Sequence, residues 1–227
     1  MILTLKEKIV RSSDCTSFCF MPANDITWQA GQYMQFMLPH QNPDERGFNR
    51  FFTISSAPHE GFVMITTRFA FDKSSTFKKA LFSLEKGSSI SAMPPMGEFV
   101  VKDYAGDYVF IAGGIGITPF RSIVLDLEHK KALGNCSIYL LYANRDQDIV
   151  FKEELDSLAV NFGKFKVRYV ISPERCDISL IKIAVPGYRE KTYYISGPPG
   201  LVKSIEQDLV ADGFGQTALN LDYFPGY

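Results

Sequence analysis

The feature that most constrains the fold is a junction near mid-chain. An apolar run, Tyr108 to Ala112, empties directly into Gly113-Gly114-Ile115-Gly116, and Thr118-Pro119 follow. Five apolar residues bounded by glycine read as a strand buried on both faces. Beyond the glycines, Phe120, Ile123, Val124 and Leu127 recur at helical spacing, and Gly134 marks a stop. A strand buried on both faces needs helices on both sides, and the residues that follow supply them. Strands are expected at 137–142, 166–171, 192–196 and 217–221, and helices at 150–160 and 178–184. A third helix is expected to start at Pro198-Pro199, with Leu201, Ile205 and Leu209 on one face and Gly213 past its end. This alternation predicts an α/β, doubly wound parallel sheet.

The first hundred residues obey different rules. Period-two or β-rich runs at 3–10, 17–21, 33–38, 51–54, 62–69 and 89–93 alternate with turn-rich stretches. One helix interrupts them at 76–84, where Phe77, Leu81 and Leu84 share a face and Gly87 follows. Many short strands with one helix predict a small antiparallel β-barrel. A charged, glycine-containing stretch at 101–107 separates the two patterns. The 227 residues therefore divide into a barrel domain, 1–102, and an α/β domain, 103–227, each of ordinary size.

Several function classes are excluded early. A net charge of -1 gives no electrostatic reason to expect nucleic acid or an anionic membrane as partner. No segment offers the roughly 18 to 20 apolar residues of a membrane span. The strand-like N-terminus does not read as a signal peptide. Cys15, Cys19, Cys136 and Cys176 match neither a zinc site nor an iron–sulfur cluster, and His40, His59 and His129 have no metal-ligand spacing. The expectation is a reduced, cytoplasmic protein without a metal or a fused iron–sulfur domain. Its 14% aromatic content suits a packed sheet protein and also a site that stacks a flat ligand.

Three segments could carry chemistry. In the glycine loop Thr118 can cap the helix and Pro119 fits its first turn. Gly113, Gly114 and Gly116 let a ligand approach the backbone, and free N–H groups with the helix dipole favour a pyrophosphate. A tight strand-to-helix turn alone would also explain it. The second segment, Ser196-Gly197-Pro198-Pro199, ends another strand of the same sheet, so both loops should face one crevice. The third is Arg50-Phe51-Phe52-Thr53 in the barrel: a cation for phosphate, aromatics for stacking and a hydroxyl for a ring nitrogen. An ordinary barrel strand with a surface arginine accounts for it equally.

Taken in order, Gly31-Gln32, Arg50-x-Phe52-Thr53, Pro95-x-Gly97-x-Phe99, Gly113-Gly114-x-Gly116-x-Thr118-Pro119 and Ser196-Gly197-Pro198-Pro199 resemble the ferredoxin–NADP reductase superfamily over essentially the whole chain. The resemblance implies a flavin-binding barrel followed by a nucleotide-binding domain, with FAD and NADP or NAD as cofactors. It gives Arg50 the flavin pyrophosphate, Phe52 the isoalloxazine face and Thr53 the flavin N5. Thr66, Thr67 and Arg68 would run beside the ribose and adenine, and Ser75 and Thr76 would make a second pyrophosphate contact. Gly113 through Pro119 and Gly197 through Pro199 would carry the nicotinamide nucleotide, with Ser196 beside its ring. Phe224, and after it Tyr227, would cover the flavin face. The chain departs from the family pattern at Phe52, usually Tyr, at Ser196, usually Cys, and at Asp222, often Glu.

The implied activity is FAD-dependent NAD(P)H oxidoreduction, with single electrons passing to or from an external carrier such as ferredoxin or flavodoxin. Arg145, Ser172 and Arg175 follow the second and third strands of the α/β domain and favour NADPH over NADH through the 2′-phosphate. Two alternatives stay open: a flavin reductase that uses flavin as a diffusing substrate, and a non-catalytic nucleotide-sensing or electron-partner subunit.

Overall fold

The computed structural model describes residues 1–224, the side chain of Asp72 excepted. Six strands form the first half: β1 (Ile2–Val10), β2 (Cys15–Pro22), β3 (Tyr33–Met37), β4 (Asn49–Thr53), β5 (Val63–Arg68) and β6 (Ser89–Ala92). They pair antiparallel in the order β4-β3-β6-β1-β2-β5. The sheet curls back on itself, and just past β4 the Ser55 amide donates to Met64 O of β5 at 2.7 Å. Alternation drives the curl, because Leu3, Leu5, Phe18, Phe20, Met34, Phe36 and Ile65 all turn inward. Helix α1 (Thr76–Ser83) contributes Phe77 and Leu81 to the same core.

The second half is a parallel sheet of β7 (Asp107–Gly113), β8 (Ser137–Asn144), β9 (Phe165–Ile171), β10 (Thr192–Gly197) and β11 (Leu219–Tyr223), ordered β11-β10-β7-β8-β9. In β7 every residue but Asp107 is buried. Its Phe110 packs with α2 (Thr118–His129) and α3 (Lys152–Asn161), while Val109 and Ile111 pack with α4 (Ile178–Ala184) and α5 (Pro199–Ala211). Both faces are covered, as the sequence predicts.

Two expectations are corrected. Thr118 does not cap α2. A 3-10 turn, Gly114–Ile117, already coils the chain, so Thr118 is the first helical residue and its Oγ1 donates to Ile115 O at 3.1 Å. The last strand runs two residues later than the expected 217–221, because Gln216–Ala218 form a 3-10 turn and pairing with β10 sets the register Ser196↔Asp222. That shift moves Asp222 and Tyr223 from the tail into the sheet.

The halves dock through short polar contacts. Tyr194 Oη donates to Val100 O at 2.9 Å, and Ser122 Oγ of α2 donates to Ser56 O at 2.6 Å. Among the described residues no helix is long and apolar enough to cross a membrane.

Candidate functional site

A cleft of about 880 Å³ lies between the barrel wall and the end of β11. This volume falls within the roughly 300–1,000 Å³ of small-molecule sites. One wall is Gln35 of β3, all of β4 from Asn49 to Thr53, the α1 cap Ser75 and Lys78 of α1; the other is Asp222, Tyr223 and Phe224. Alternation along β4 splits its aromatics. Phe51 faces outward at 60% exposure, edge-on to Tyr33, whereas Phe52 leans into the barrel core with its ring 5.9 Å from Phe36 and 5.8 Å from Phe77. Thr53 is buried at the strand end.

Cations gather at one end. Arg50 is buried; its Nη1 donates to the carbonyls of Arg46, Gly47 and Asn49, and its Nη2 donates to Asp44 Oδ1 at 2.5 Å. Its Nε is buried with no partner among the described residues. Lys78 stands in the first turn of α1, where the helix dipole already disfavours a cation. Burial pushes its ammonium down to about 8, and the guanidinium groups of Arg46, Arg68 and Arg50 push the same way. Ser75 caps the helix by accepting from the Lys78 amide at 3.3 Å. Thr76 turns away from the cleft: its Oγ1 accepts from the Asp44 amide at 3.0 Å and lies 3.0 Å from His40 Nε2.

The expected ribose and adenine contacts lie outside the cleft. Thr66 Oγ1 belongs to a buried hydroxyl trio with Ser17 Oγ, at 2.8 Å, and Ser55 Oγ, at 2.9 Å. Thr67 is fully buried, and Arg68 pairs with Asp14 at 2.8 Å. Arg68 nonetheless reaches toward the glycine loop, its Nη2 being the nearest atom to a Cβ built on Gly114, at 3.9 Å.

The two glycine loops meet at the carboxyl edge of the parallel sheet. A Cβ on Gly116 would stand 2.3 Å from Ser196 O, and one on Gly197 would stand 3.1 Å from the Gly113 backbone. These glycines therefore serve contact of backbone on backbone, which brings the two loops together, in addition to any ligand. Pro119 is the second residue of α2, and Pro198 and Pro199 open α5. Ser196 is fully buried, and its hydroxyl donates to Asp222 Oδ2 at 3.2 Å. Burial raises the Asp222 carboxyl to about 6, against the lowering effect of that bond. The Phe224 amide donates to Gly197 O at 3.0 Å, which anchors Phe224 at the cleft mouth. Arg145, Ser172 and Arg175 are exposed just past β8 and β9 on the same edge. Tyr227 lies outside the described residues.

Sequence reasoning overlooked Arg46 and Lys78. The available signal for Lys78 was a lysine one turn after Ser75-Thr76 with no acidic residue in that turn. Among the described residues no cluster of three or more His, Cys, Asp or Glu could hold a metal.

Residues 110–207 match the family model described as the oxidoreductase NAD-binding domain. The glycine betaine monooxygenase reductase subunit of Chromohalobacter salexigens is 25% identical to this chain, over 96% of the chain and 62% of that protein. The fold of the chain is that of the ferredoxin–NADP reductase superfamily. Two solved structures share its fold. The flavohem-like FAD/NAD-binding domain of nitric oxide dioxygenase from Vibrio cholerae has a TM-score of 0.82 at 20% identity, over 98% of each chain. Ferredoxin-NADP+ reductase from Plasmodium falciparum has a TM-score of 0.81 at 15% identity, over 98% of this chain and 95% of that one. The chain spans between about a third and three-fifths of the length of the curated relatives it matches.

Proposed function

We infer that this chain binds FAD in the cleft and a nicotinamide dinucleotide across the glycine loops, and moves hydride between them. The observation that carries this reading is the cleft itself. The 50–53 segment and the 222–224 segment, one from each half of the chain, form its opposite walls. The residues present fit the cofactor. The partnerless Nε of Arg50, the ammonium of Lys78 and the capped start of α1 suit a pyrophosphate. Phe51 and Phe224 offer flat apolar walls to a ring.

A bound flavin accepts hydride and releases electrons one at a time. The chain's own part is positioning. Arg50 and Lys78 would hold the anionic middle of the cofactor, and Thr53, which lines the cleft, would contact its ring. Gly113, Gly114, Gly116 and Gly197 admit the second dinucleotide, and Phe224 excludes water from the ring face until nicotinamide displaces it. Asp222 and Ser196 form a polar pair whose carboxyl takes up its proton near pH 6.

NADPH is the favoured donor, through Arg145, Ser172 and Arg175. The electron acceptor is an external carrier of the ferredoxin or flavodoxin kind, or an oxygenase component such as the one the Chromohalobacter relative's name implies. Next to the cleft, the barrel exposes Phe51, Met37, Met93 and Ile2, an apolar strip suited to a carrier. One observation favours a second reading. Thr66, Thr67 and Arg68 do not line the cleft, which leaves an adenine half without its expected contacts and suits a flavin reductase with diffusing flavin.

The visible spectrum of the purified protein, before and after desalting, separates the two readings. Anaerobic mixing with NADPH and NADH then tests turnover. Retained yellow colour that bleaches rapidly supports the first reading, and colour lost on desalting supports the second. A protein that binds flavin and never bleaches overturns both and leaves the sensor.

A further inference from the structure

Arg121, in the first turn of α2, is 4% exposed and uses all five of its N–H donors. Nε donates to Glu154 Oε2 at 2.7 Å and Nη2 to Glu154 Oε1 at 2.9 Å. Nη1 donates to Glu60 Oε2 at 2.8 Å and Nη2 to Glu60 Oε1 at 3.1 Å. The remaining Nη1 donor meets Ser55 O at 2.7 Å. One guanidinium thus holds a carboxylate from each half of the molecule, each through two oxygens, together with a barrel carbonyl two residues beyond Thr53.

Its surroundings bind the same elements. Glu60 Oε2 also accepts the Ala57 amide at 2.6 Å, which fixes the 57–60 turn. Ser122, the next residue of α2, holds Ser56 O. The Phe151 ring, on a residue with φ +62°, lies 5.1 Å from the guanidinium carbons of both Arg121 and Arg11, the latter just past the end of β1. Desolvation works against the Arg121 charge, yet the two glutamates hold its pKa above the ordinary arginine value. Burying a cation between two carboxylates is a weak source of stability when apolar packing would serve. It does, however, define one geometry sharply, because a guanidinium fork accepts carboxylates only in its own plane.

We propose that Arg121 is the positioning residue that sets the distance between the flavin half and the nicotinamide half. The inference rests on the function proposed above. Helix α2 starts at the glycine loop and, near that start, Arg121 and Ser122 grip the chain leaving Thr53, so a single rigid element joins the two halves. Hydride transfer depends steeply on that spacing; a misplacement of about 1 Å can cost on the order of 10²-fold.

The test compares Arg121→Lys and Arg121→Gln with the parent, each loaded with flavin. Lysine keeps the charge but cannot bridge two carboxylates bidentately. Both variants should retain flavin and keep the nicotinamide dissociation constant within about threefold, while the rate constant of flavin reduction falls by on the order of 10²-fold. The long-wavelength absorbance of the nicotinamide–flavin contact should weaken in parallel. Independently of any turnover, hydrogen exchange should accelerate in segments 55–60 and 151–155 and stay unchanged in β1 and β2. Parental exchange in those two segments overturns the proposal, whether or not the protein transfers hydride. Parental reduction rates in a protein that does transfer hydride overturn it as well. A parent that binds no flavin sinks the functional reading alone, and the exchange comparison still decides the role of Arg121.

Discussion

The Ser196 hydroxyl donates to Asp222 Oδ2 at 3.2 Å across the neighbouring parallel strands β10 and β11, in the register that pairs the two residues directly. The pair closes the bottom of the cleft where the second glycine loop begins. Asp222 has no cation among its described partners, so burial dominates and raises its carboxyl from 3.8 to about 6.

That shift has a sign. A carboxyl raised on folding binds its proton more tightly in the native state than in the unfolded one. Its contribution is therefore fully present below pH 3.8 and is lost as pH climbs through about 6. Two units correspond to roughly 3 kcal/mol of penalty above that window. Asp222→Asn should therefore melt higher than the parent at pH 7.5, with the difference vanishing by about pH 4. Melting temperatures across that range, with identical shifts at both ends, would sink this assignment.

Arg50 carries two loads. It pins the 44–49 loop through three carbonyls and Asp44, and its buried Nε has no partner among the described residues. Arg50→Ala should weaken FAD by roughly 2–5 kcal/mol, the range for truncating one partner of a buried charged hydrogen-bonded pair. Lys78→Met should weaken it less, and more at pH 6.5 than at pH 9, because the ammonium loses its proton near pH 8. Fluorescence titration with FAD reads both. Unchanged affinity in Arg50→Ala would show that the pyrophosphate lies elsewhere.

Gly116 is fixed by packing whatever binds nearby. A methyl there would meet Ser196 O at 2.3 Å, against the backbone of β10, which cannot swing away like a side chain. Gly116→Ala should cost about 1–3 kcal/mol, the usual toll of overpacking, and should show in denaturant melts without any ligand. Parental stability would mean that the two loops are not in contact.

The fold was legible in the sequence because period and punctuation are local. Phe110, Ile111 and Ala112 running into glycine could only be a strand buried on both faces, and the Phe77–Leu81 spacing could only be a short helix. What stayed hidden depends on contacts far apart in the chain. Glu60 and Glu154 are unremarkable in sequence, and nothing local says that Arg121 will bury its charge between them. The register that brings Asp222 opposite Ser196 comes from pairing with β10, so alternation alone started the strand two residues early. Thr76 carried a helix-start signature and faces His40 instead, because an N-terminal hydroxyl can turn to either side of its helix.

The proposed preference for NADPH rests on two arginines. Arg145 and Arg175 are exposed past the ends of β8 and β9, on the edge where the glycine loops meet. Replacing both with Ala should leave NADH turnover near the parental value and reduce kcat/KM for NADPH about tenfold or more, since an exposed phosphate contact contributes on the order of 1 kcal/mol each. An unchanged NADPH/NADH ratio in the double variant would remove these residues from the 2′-phosphate site.

Phe224 should behave as a gate. Its amide is tied to Gly197 O at 3.0 Å, so the backbone is held by the second glycine loop while the ring borders the cleft beside Asp222 and Tyr223. The ring is partly buried against the core of the α/β half. An offset aromatic stack contributes about 0.5–1.5 kcal/mol beyond its buried area, enough to shield a flavin and small enough for nicotinamide to overcome. Phe224→Ala should therefore keep its FAD, bind nicotinamide up to about tenfold more tightly and reoxidise faster in air. Turnover should fall, because product leaves more slowly once nothing competes for the ring face. Oxygen consumption, product inhibition and flavin content measured on the same preparation check each part. Loss of flavin or of the fold in Phe224→Ala would make the residue a structural end of β11, and the gate would have to be abandoned.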